Sequence, residues 1–224
     1  MKLIVMNNDE CLEFRPGEIA IRTDPMLRIQ GYKNLDRVRP LIKKTARDMA
    51  RLAAQTIDAV VHYRQLRISE CTDGNLILEG GTVFRCDAFS KYHAASQQVV
   101  VFVLTLGKGL DEAGMNFSKQ QQLLEQLFLD TAGWVGVEAV NKQFVVHIKE
   151  QVLEQGYRLT RRMGPGYTFK KDGQDCPWAL EDQKPLFALF DDTELPVAML
   201  ESCAMMPRMS RTGLYGLVPI QTRN

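Results

Sequence analysis

A guanidinium, two glycines around a proline and an aromatic ring occur in one short run, Arg162-Met163-Gly164-Pro165-Gly166-Tyr167. Gly164 and Gly166 have no side chain and tolerate positive φ, while Pro165 restricts the loop, so its backbone N–H groups can face a small polar ligand. Spacing alone leaves two readings open, an anion pocket and a structural turn, with the turn at least as well supported. The stretch closes downstream with Glu201-Ser202-Cys203-Ala204-Met205-Met206-Pro207, then Ser210, Thr212, Gly213 and Tyr215.

Other chemistries find little support. Ser202 and Ser210 lack the G-x-S-x-G elbow, and His62, His93 and His147 fall on predicted helices without metal-ligand spacing, which leaves them core or surface roles. No Gly-Lys-Ser/Thr follows Gly164-Pro165-Gly166 and the run opens no Rossmann unit, so ATP and NAD are poor candidates. The 5 cysteines are odd in number and form no C-x-x-C pair, which argues against a disulfide framework or a cysteine zinc site and for a reducing compartment. Cys176 and Cys203 read more readily as small buried hydrophobes than as metal or corrinoid ligands.

The chain has 224 residues, 45% hydrophobic and 25% charged, enough for an ordinary buried core. With 28 basic against 27 acidic side chains, no long-range field favours nucleic acid or an anionic membrane. The apolar run in Met1 to Met6 is broken by Asn7, Asn8, Asp9 and Glu10, so neither a signal peptide nor a membrane span is expected, and the expected location is the cytoplasm.

The elements that must position the candidate residues follow from periodicity. Residues 1–34 mix short apolar pieces with Pro16-Gly17 and Asp24-Pro25, and read as an N-terminal arm; residues 35–224 read as one domain. Leu35 to Leu66 carries apolar residues at three-to-four spacing and predicts a long amphipathic helix, with Lys43, Lys44, Arg47 and Arg51 on its solvated face. Asp73-Gly74 and Gly80-Gly81 flank Leu76-Ile77-Leu78 and predict antiparallel strands. A short helix is expected over Asp87 to Ser96, and the β-branched run Val99 to Leu106 predicts a central strand buried on both faces. Lys108 to Asn116 predicts a short helix and Gln120 to Glu154 a second long one. Gly133 and Gly136 cost this helix about 1 kcal/mol each relative to alanine, so close approach of another backbone or a ligand is expected there, with Glu138 near the same spot. Tyr157 to Thr160, Pro196 to Leu200 and Leu214 to Val218 read as strands, and Trp178 to Phe190 as a helix. The irregular order, with no βαβ series, predicts an α+β fold on an antiparallel or mixed sheet.

Several runs then resemble a known family. Arg162-x-x-Pro165-Gly166-Tyr167, Trp178-x-Leu180-Glu181-Asp182-Gln183-x-x-Leu186-Phe187 and Leu200-Glu201-Ser202-x-Ala204-Met205-x-Pro207-x-x-Ser210-x-x-Gly213-x-Tyr215 resemble the activation domain of cobalamin-dependent methionine synthase. The resemblance continues upstream through Phe102-Val103-Leu104-Thr105-Leu106-Gly107, Leu129-Asp130-x-x-Gly133 and Val137-Glu138-Ala139. It implies a C-shaped α+β domain that binds S-adenosylmethionine in a shallow groove. The family presents that ligand to oxidised cobalamin, which a flavodoxin-type donor reduces. Arg162 then matches the ligand-binding arginine, Tyr167 the tyrosine closing the same loop and Glu138 a pocket-side glutamate; Gly164, Gly166 and Tyr215 complete the implied site. The guanidinium would grip the methionine carboxylate, the loop N–H groups would meet remaining polar edges, the aromatic face would favour the sulfonium and Glu138 would balance the ligand's cationic part.

The chain departs from the family in places. Thr168 to Trp178 replaces a cysteine, proline and histidine stretch, Asn224 precedes the paired tyrosines of the synthase tail, and no counterpart of an N-terminal aspartate is found. The expectation is a stand-alone relative whose partner, a corrinoid protein or core methionine synthase, carries the cobalamin. The competing expectation is a non-catalytic module that binds another small molecule or scaffolds a corrinoid protein. In the first case cob(I)alamin and the sulfonium supply the chemistry and the protein supplies placement, with no protein nucleophile. Cys176→Ser and Cys203→Ser are accordingly expected to leave methyl transfer nearly unchanged, followed spectroscopically as methylcobalamin formation with a reduced corrinoid partner.

Overall fold

The computed structural model describes residues 10–220. Met1 to Met6 and Asn224, on which the readings of the termini rest, lie outside them. The first part of the chain runs through β1 (Leu12–Phe14), α1 (Thr23–Ile29), α2 (Pro40–Thr56), β2 (Val60–Cys71), β3 (Gly74–Leu78), β4 (Val83–Cys86), α3 (Phe89–Tyr92) and β5 (Gln98–Thr105). Then follow α4 (Gly109–Lys119), the long α5 (Leu123–Glu154), β6 (Tyr157–Met163), β7 (Thr168–Lys171), β8 (Gln174–Pro177), α6 (Gln183–Ala188), β9 (Ala198–Met199), β10 (Met205–Met206) and β11 (Ser210–Pro219).

One 7-stranded antiparallel sheet, ordered β4-β3-β2-β5-β11-β6 with β1 on the outer side of β2, organises the molecule. The α+β architecture and antiparallel sheet expected from the sequence are the ones observed. From Val99 onward, every residue of β5 is buried. Val100, Phe102 and Leu104 enter one core with α1, α2, α4 and α5, whereas Val99, Val101 and Val103 enter another with β3, β4, Phe169, Cys176, Trp178 and α6. The alternating directions of a strand thus divide an unbroken apolar run between two cores.

The first long helix is shorter than its periodicity implied. Pro40 stands at its start, and at Ile57 the backbone turns extended. Residues 60–71 form β2, because β-branched Val60 and Val61 and aromatic Tyr63 suit a pleated surface. A strand with apolar residues on both faces mimics helical spacing over so short a window. Helix is likewise confined to Phe89–Tyr92 within 87–96 and to Gln183–Ala188 within 178–190, where a turn of 3-10 helix precedes it. The Trp178 indole donates to Asp182 at 2.8 Å, and Asp182 also accepts from the Arg85 N–H at 2.8 Å. Gln183 donates to the Cys203 carbonyl at 2.8 Å and accepts from the Thr212 hydroxyl at 2.7 Å. Much of the Leu180-Glu181-Asp182-Gln183 run is therefore framework.

The segment read as an arm supplies β1 and α1, and Met26 in α1 is wholly buried in the helix-side core. In α5 a Cβ on Gly133 would lie 2.7 Å from Met209 Sδ, and one on Gly136 2.9 Å from Leu106 Cδ1. The close approach expected at these glycines is made by side chains, Met209 and Leu106, and not by another backbone or a ligand.

His93 is wholly buried under the outer edge of the sheet, with Nδ1 3.3 Å from the Thr160 hydroxyl. Burial disfavours the imidazolium and lowers its pKa from 6.5 to about 4. The folded chain keeps this ring neutral where the unfolded chain protonates it, so the contribution is full above pH 6.5 and is lost as pH falls towards 4. The expected loss is on the order of 3 kcal/mol. His62 and His147 are shifted the same way by burial. Denaturant titrations across this window should therefore show a shallower fall in stability for His93→Gln than for the parent.

Candidate functional site

Arg162 lies in β6, directly opposite Tyr215 of β11. Residues opposite each other in an antiparallel pair project to one face, and Tyr215 belongs to the helix-side core, so Arg162 stands on the face that α5 covers. The sequence placed Arg162 in the loop after a strand ending at Thr160; the β6–β11 ladder extends that strand through Met163 and holds the arginine on the sheet edge.

Tyr215 is 4% exposed and stacks on Phe102 with ring centroids 5.6 Å apart. Its hydroxyl donates to Asn141 Oδ1 of α5 at 3.0 Å, and burial pushes its phenol pKa up. Tyr215 is thus a support under the site, packed against helix and sheet. Gly213, also on β11, leaves room for the arginine: a Cβ there would meet the Met163 carbonyl oxygen at 2.5 Å and Arg162 Cγ at 3.4 Å.

The half-buried Arg162 donates from Nη1 to the Thr212 carbonyl at 3.3 Å and lays its guanidinium over the Tyr167 ring, 4.6 Å from the centroid. A Cβ on Gly164 would come within 3.0 Å of both Nη1 and the Thr212 oxygen, so this glycine admits the guanidinium. Gly166 has φ +81° and donates its N–H to the Trp178 carbonyl at 2.8 Å, while the Tyr167 N–H points to the Gly164 carbonyl at 3.4 Å. These contacts correct two details of the sequence reading. The N–H groups of Gly166 and Tyr167 are spent on the turn, and one face of the Tyr167 ring, itself 42% exposed, is covered by Arg162. The loop is a hydrogen-bonded turn, and the arginine beside it belongs to β6.

Glu138 rises from α5 beside this edge. Its carboxylate accepts from Arg211 Nη2 at 2.6 Å, and that hydrogen bond, against the opposing effect of burial and with help from the charges of Arg211, Arg162 and Lys142, holds its pKa below the usual carboxylate value. The structure therefore gathers Arg162, Tyr167, Glu138, Gly164 and the underlying Tyr215 at one corner. It adds Arg211 and Asn141, which the motif reading missed, and gives Thr212 of the closing run a contact with Arg162. The signal for Arg211 was present: extending the strand at Leu214 back to Ser210 puts Arg211 and Tyr215 on one face at a spacing of four. Glu138 and Asn141 are likewise one helical turn apart.

Glu138 also lines a groove of about 610 Å³ between α1 and α5, with Trp134, Ile29, Pro25, Arg22 and Lys142. Trp134 is 55% exposed there. A larger cleft of about 700 Å³ lies elsewhere, beside Glu13, His62 and Lys108, and contains none of the candidate residues.

No protein-family model and no curated protein matches the sequence. Among solved structures, the one described as the MetH reactivation domain bound to AdoHcy aligns with a TM-score of 0.67, over 96% of this chain and 80% of that chain, at 13% identity. The fold is that of the MetH reactivation domain. At this identity the likeness establishes the arrangement of strands and helices and leaves side-chain roles to local geometry. In this version of the MetH reactivation-domain fold, the corner where β6, β11 and α5 meet carries the arginine, the tyrosines and the glutamate.

Gly213→Ala tests the tightness of that corner. Its Cβ would press on backbone, and overpacking of this kind costs about 1–3 kcal/mol. A denaturant midpoint equal to that of the parent would show that the strands can part to admit a methyl group.

Proposed function

We propose that the chain is an S-adenosylmethionine-binding reactivation module that supports reductive methylation of a cobalamin held by a partner such as methionine synthase. The observation that carries this reading is Arg162, held at the sheet edge of a MetH reactivation-domain fold with contacts to a carbonyl and an aromatic ring, neither of them an anion. A guanidinium has five N–H donors, and a ligand carboxylate can take a two-pronged bond from those left over. The related fold is described as bound to AdoHcy, whose amino-acid end has that carboxylate.

Bound S-adenosylmethionine would supply the methyl group. Arg162 would orient the amino-acid end, with its direction fixed by Thr212 and Tyr167. Tyr215 and Asn141 would keep α5 at a constant distance from the strand, and Glu138 would face the ligand from the helix. Among the described residues no helix is long and apolar enough to cross a membrane. In this proposal the module works in the cytoplasm, docks on a corrinoid-binding protein or core methionine synthase, and receives electrons through a flavodoxin-like donor.

The internal pairing of Arg162 with Tyr167 and of Glu138 with Arg211 favours a second reading, a non-catalytic small-molecule-binding or scaffolding module for a corrinoid protein. Calorimetry separates the two. Saturable binding of S-adenosylmethionine that weakens by about 1.5–3 kcal/mol in Arg162→Ala, the worth of a charge-assisted hydrogen bond, is the expected result. No heat at millimolar ligand would leave the second reading.

A further inference from the structure

Away from the corner, β1 lies along β2 with Glu13 directly opposite His62, so the two side chains project to one face. Cys11, two residues before Glu13, projects to the same face. The three meet through the imidazole: Cys11 Sγ is 3.9 Å from Nδ1 of His62, and Glu13 Oε2 is 4.0 Å from Nε2. A nucleophile, a base and a group that orients the base thus follow one another in space. We propose that Cys11 is a reactive thiol that exchanges with low-molecular-weight disulfides, with His62 carrying the proton and Glu13 orienting His62. This site is separate from the S-adenosyl reading and does not rest on it.

The surroundings of His62 suit a proton carrier. Its side chain is 11% exposed, and burial lowers its pKa from 6.5, with Arg15 acting in the same direction and the charge of Glu13 opposing. The ring is therefore neutral at neutral pH and able to accept a proton. Glu13 is held in turn: its Oε1 accepts from Arg15 at 2.7 Å, and Arg15 reaches on to Asp58 at 3.3 Å. That leaves Oε2 towards Nε2, which selects the tautomer with its hydrogen on Nε2 and the lone pair of Nδ1 towards sulfur. In the exchange, Cys11 Sγ bonds to one sulfur of the disulfide while its proton passes to Nδ1. The bond between the two disulfide sulfurs breaks, and the departing thiolate takes the proton from the imidazolium. The products are a mixed disulfide on Cys11 and one small thiol, so the incoming disulfide is the only oxidant needed.

His62 and Glu13 also line the cleft of about 700 Å³, whose walls carry Glu13, Asp58, Glu112 and Glu194 against Arg15 and Lys108. A reagent that approaches past the ring meets this surplus of carboxylates, so neutral and cationic disulfides are favoured over anionic ones. Cys71 supplies the contrast. It is part-exposed like Cys11 and stands at the end of β2, where burial and the charge of Asp73 push its thiol pKa up. Cys86, Cys176 and Cys203 are buried.

The test treats the full chain with hydroxyethyl disulfide, a neutral reagent, across the pH range and counts the adduct at each cysteine by peptide mass spectrometry. The Cys11 rate is expected to stay level until His62 is protonated, below pH 6.5, whereas the Cys71 rate falls about ten-fold for each pH unit below its pKa. Near neutral pH the expected advantage of Cys11 over Cys71 is roughly ten- to a hundred-fold. Glu13→Gln should slow Cys11 and move the break in its profile to lower pH, because the carboxylate raises the basicity of His62. His62→Gln should abolish the level region and bring Cys11 down to the rate of Cys71. If that variant also lets the reagent reach Cys86, Cys176 or Cys203, it has lost its fold, and Glu13→Gln, at an exposed position, decides. At low salt, cystamine should outpace the anionic dithiodiglycolate at Cys11 by roughly three- to ten-fold. A Cys11 rate that runs parallel to that of Cys71 with pH, or one that neither variant changes in an intact fold, overturns the proposal. Faster reaction with the anionic disulfide overturns the assigned class of reagent.

Discussion

A guanidinium buried between a sheet and a helix has to be answered by a carboxylate, and Arg211 is answered by Glu138. That requirement fixes more than a pair of side chains. Glu138 can reach Arg211 only if α5 lies across β11 in one register, and Tyr215 with Asn141 holds the same register one step along both elements. Arg162, opposite Tyr215 on the neighbouring strand, then has no freedom to stand elsewhere. The corner that carries the candidate chemistry is therefore a by-product of how the longest helix is keyed to the sheet. Removing one partner of such a pair generally costs more than the pair contributes, because the remaining charge stays buried.

Where local pattern and tertiary demand agreed, the sequence was readable. Val99 to Leu106 could hardly be anything but a buried strand, and the stretch ending at Glu154 has apolar residues on a helical stripe for most of its length. Readability failed at Val60 to Leu66, because a strand covered on both faces has no period-two signature and its apolar positions continue the spacing of the helix before it. The site was legible as a set of residue types and only partly as a geometry. Nothing in Gly164-Pro165-Gly166-Tyr167 announces that Trp178 will take the Gly166 N–H, since that bond depends on β8 folding back alongside. Arg211 stayed hidden for a related reason: one charged residue in an otherwise apolar strand looks like an exposed position until the covering helix is known.

The same distinction explains how a motif set can resemble a family while overall identity to a solved member of the fold is only 13%. Trp178, Asp182 and Gln183 hold a short irregular segment together by side-chain hydrogen bonds for which few other residue types have the right donors and acceptors. Helix faces and strand interiors tolerate exchange of one apolar residue for another of similar volume. The recognisable residues are thus the ones with directional duties, whether towards the framework, as here, or towards a ligand.

Thr212 has two duties at once. Its carbonyl oxygen receives Arg162 on the helix side of the sheet, and its hydroxyl donates to Gln183, which in turn grips the Cys203 carbonyl in the opposite core. The backbone of β11 is therefore a shared wall whose two sides are mechanically continuous. A substitution that loosens the packing of α6 or the loop at Cys203 shifts the position of Thr212, and with it the aim of Arg162, although neither change touches the corner directly. The sensitivity of the arginine to distant substitutions should follow the rigidity of this wall, and the core without candidate residues becomes the backing against which the other side is held true.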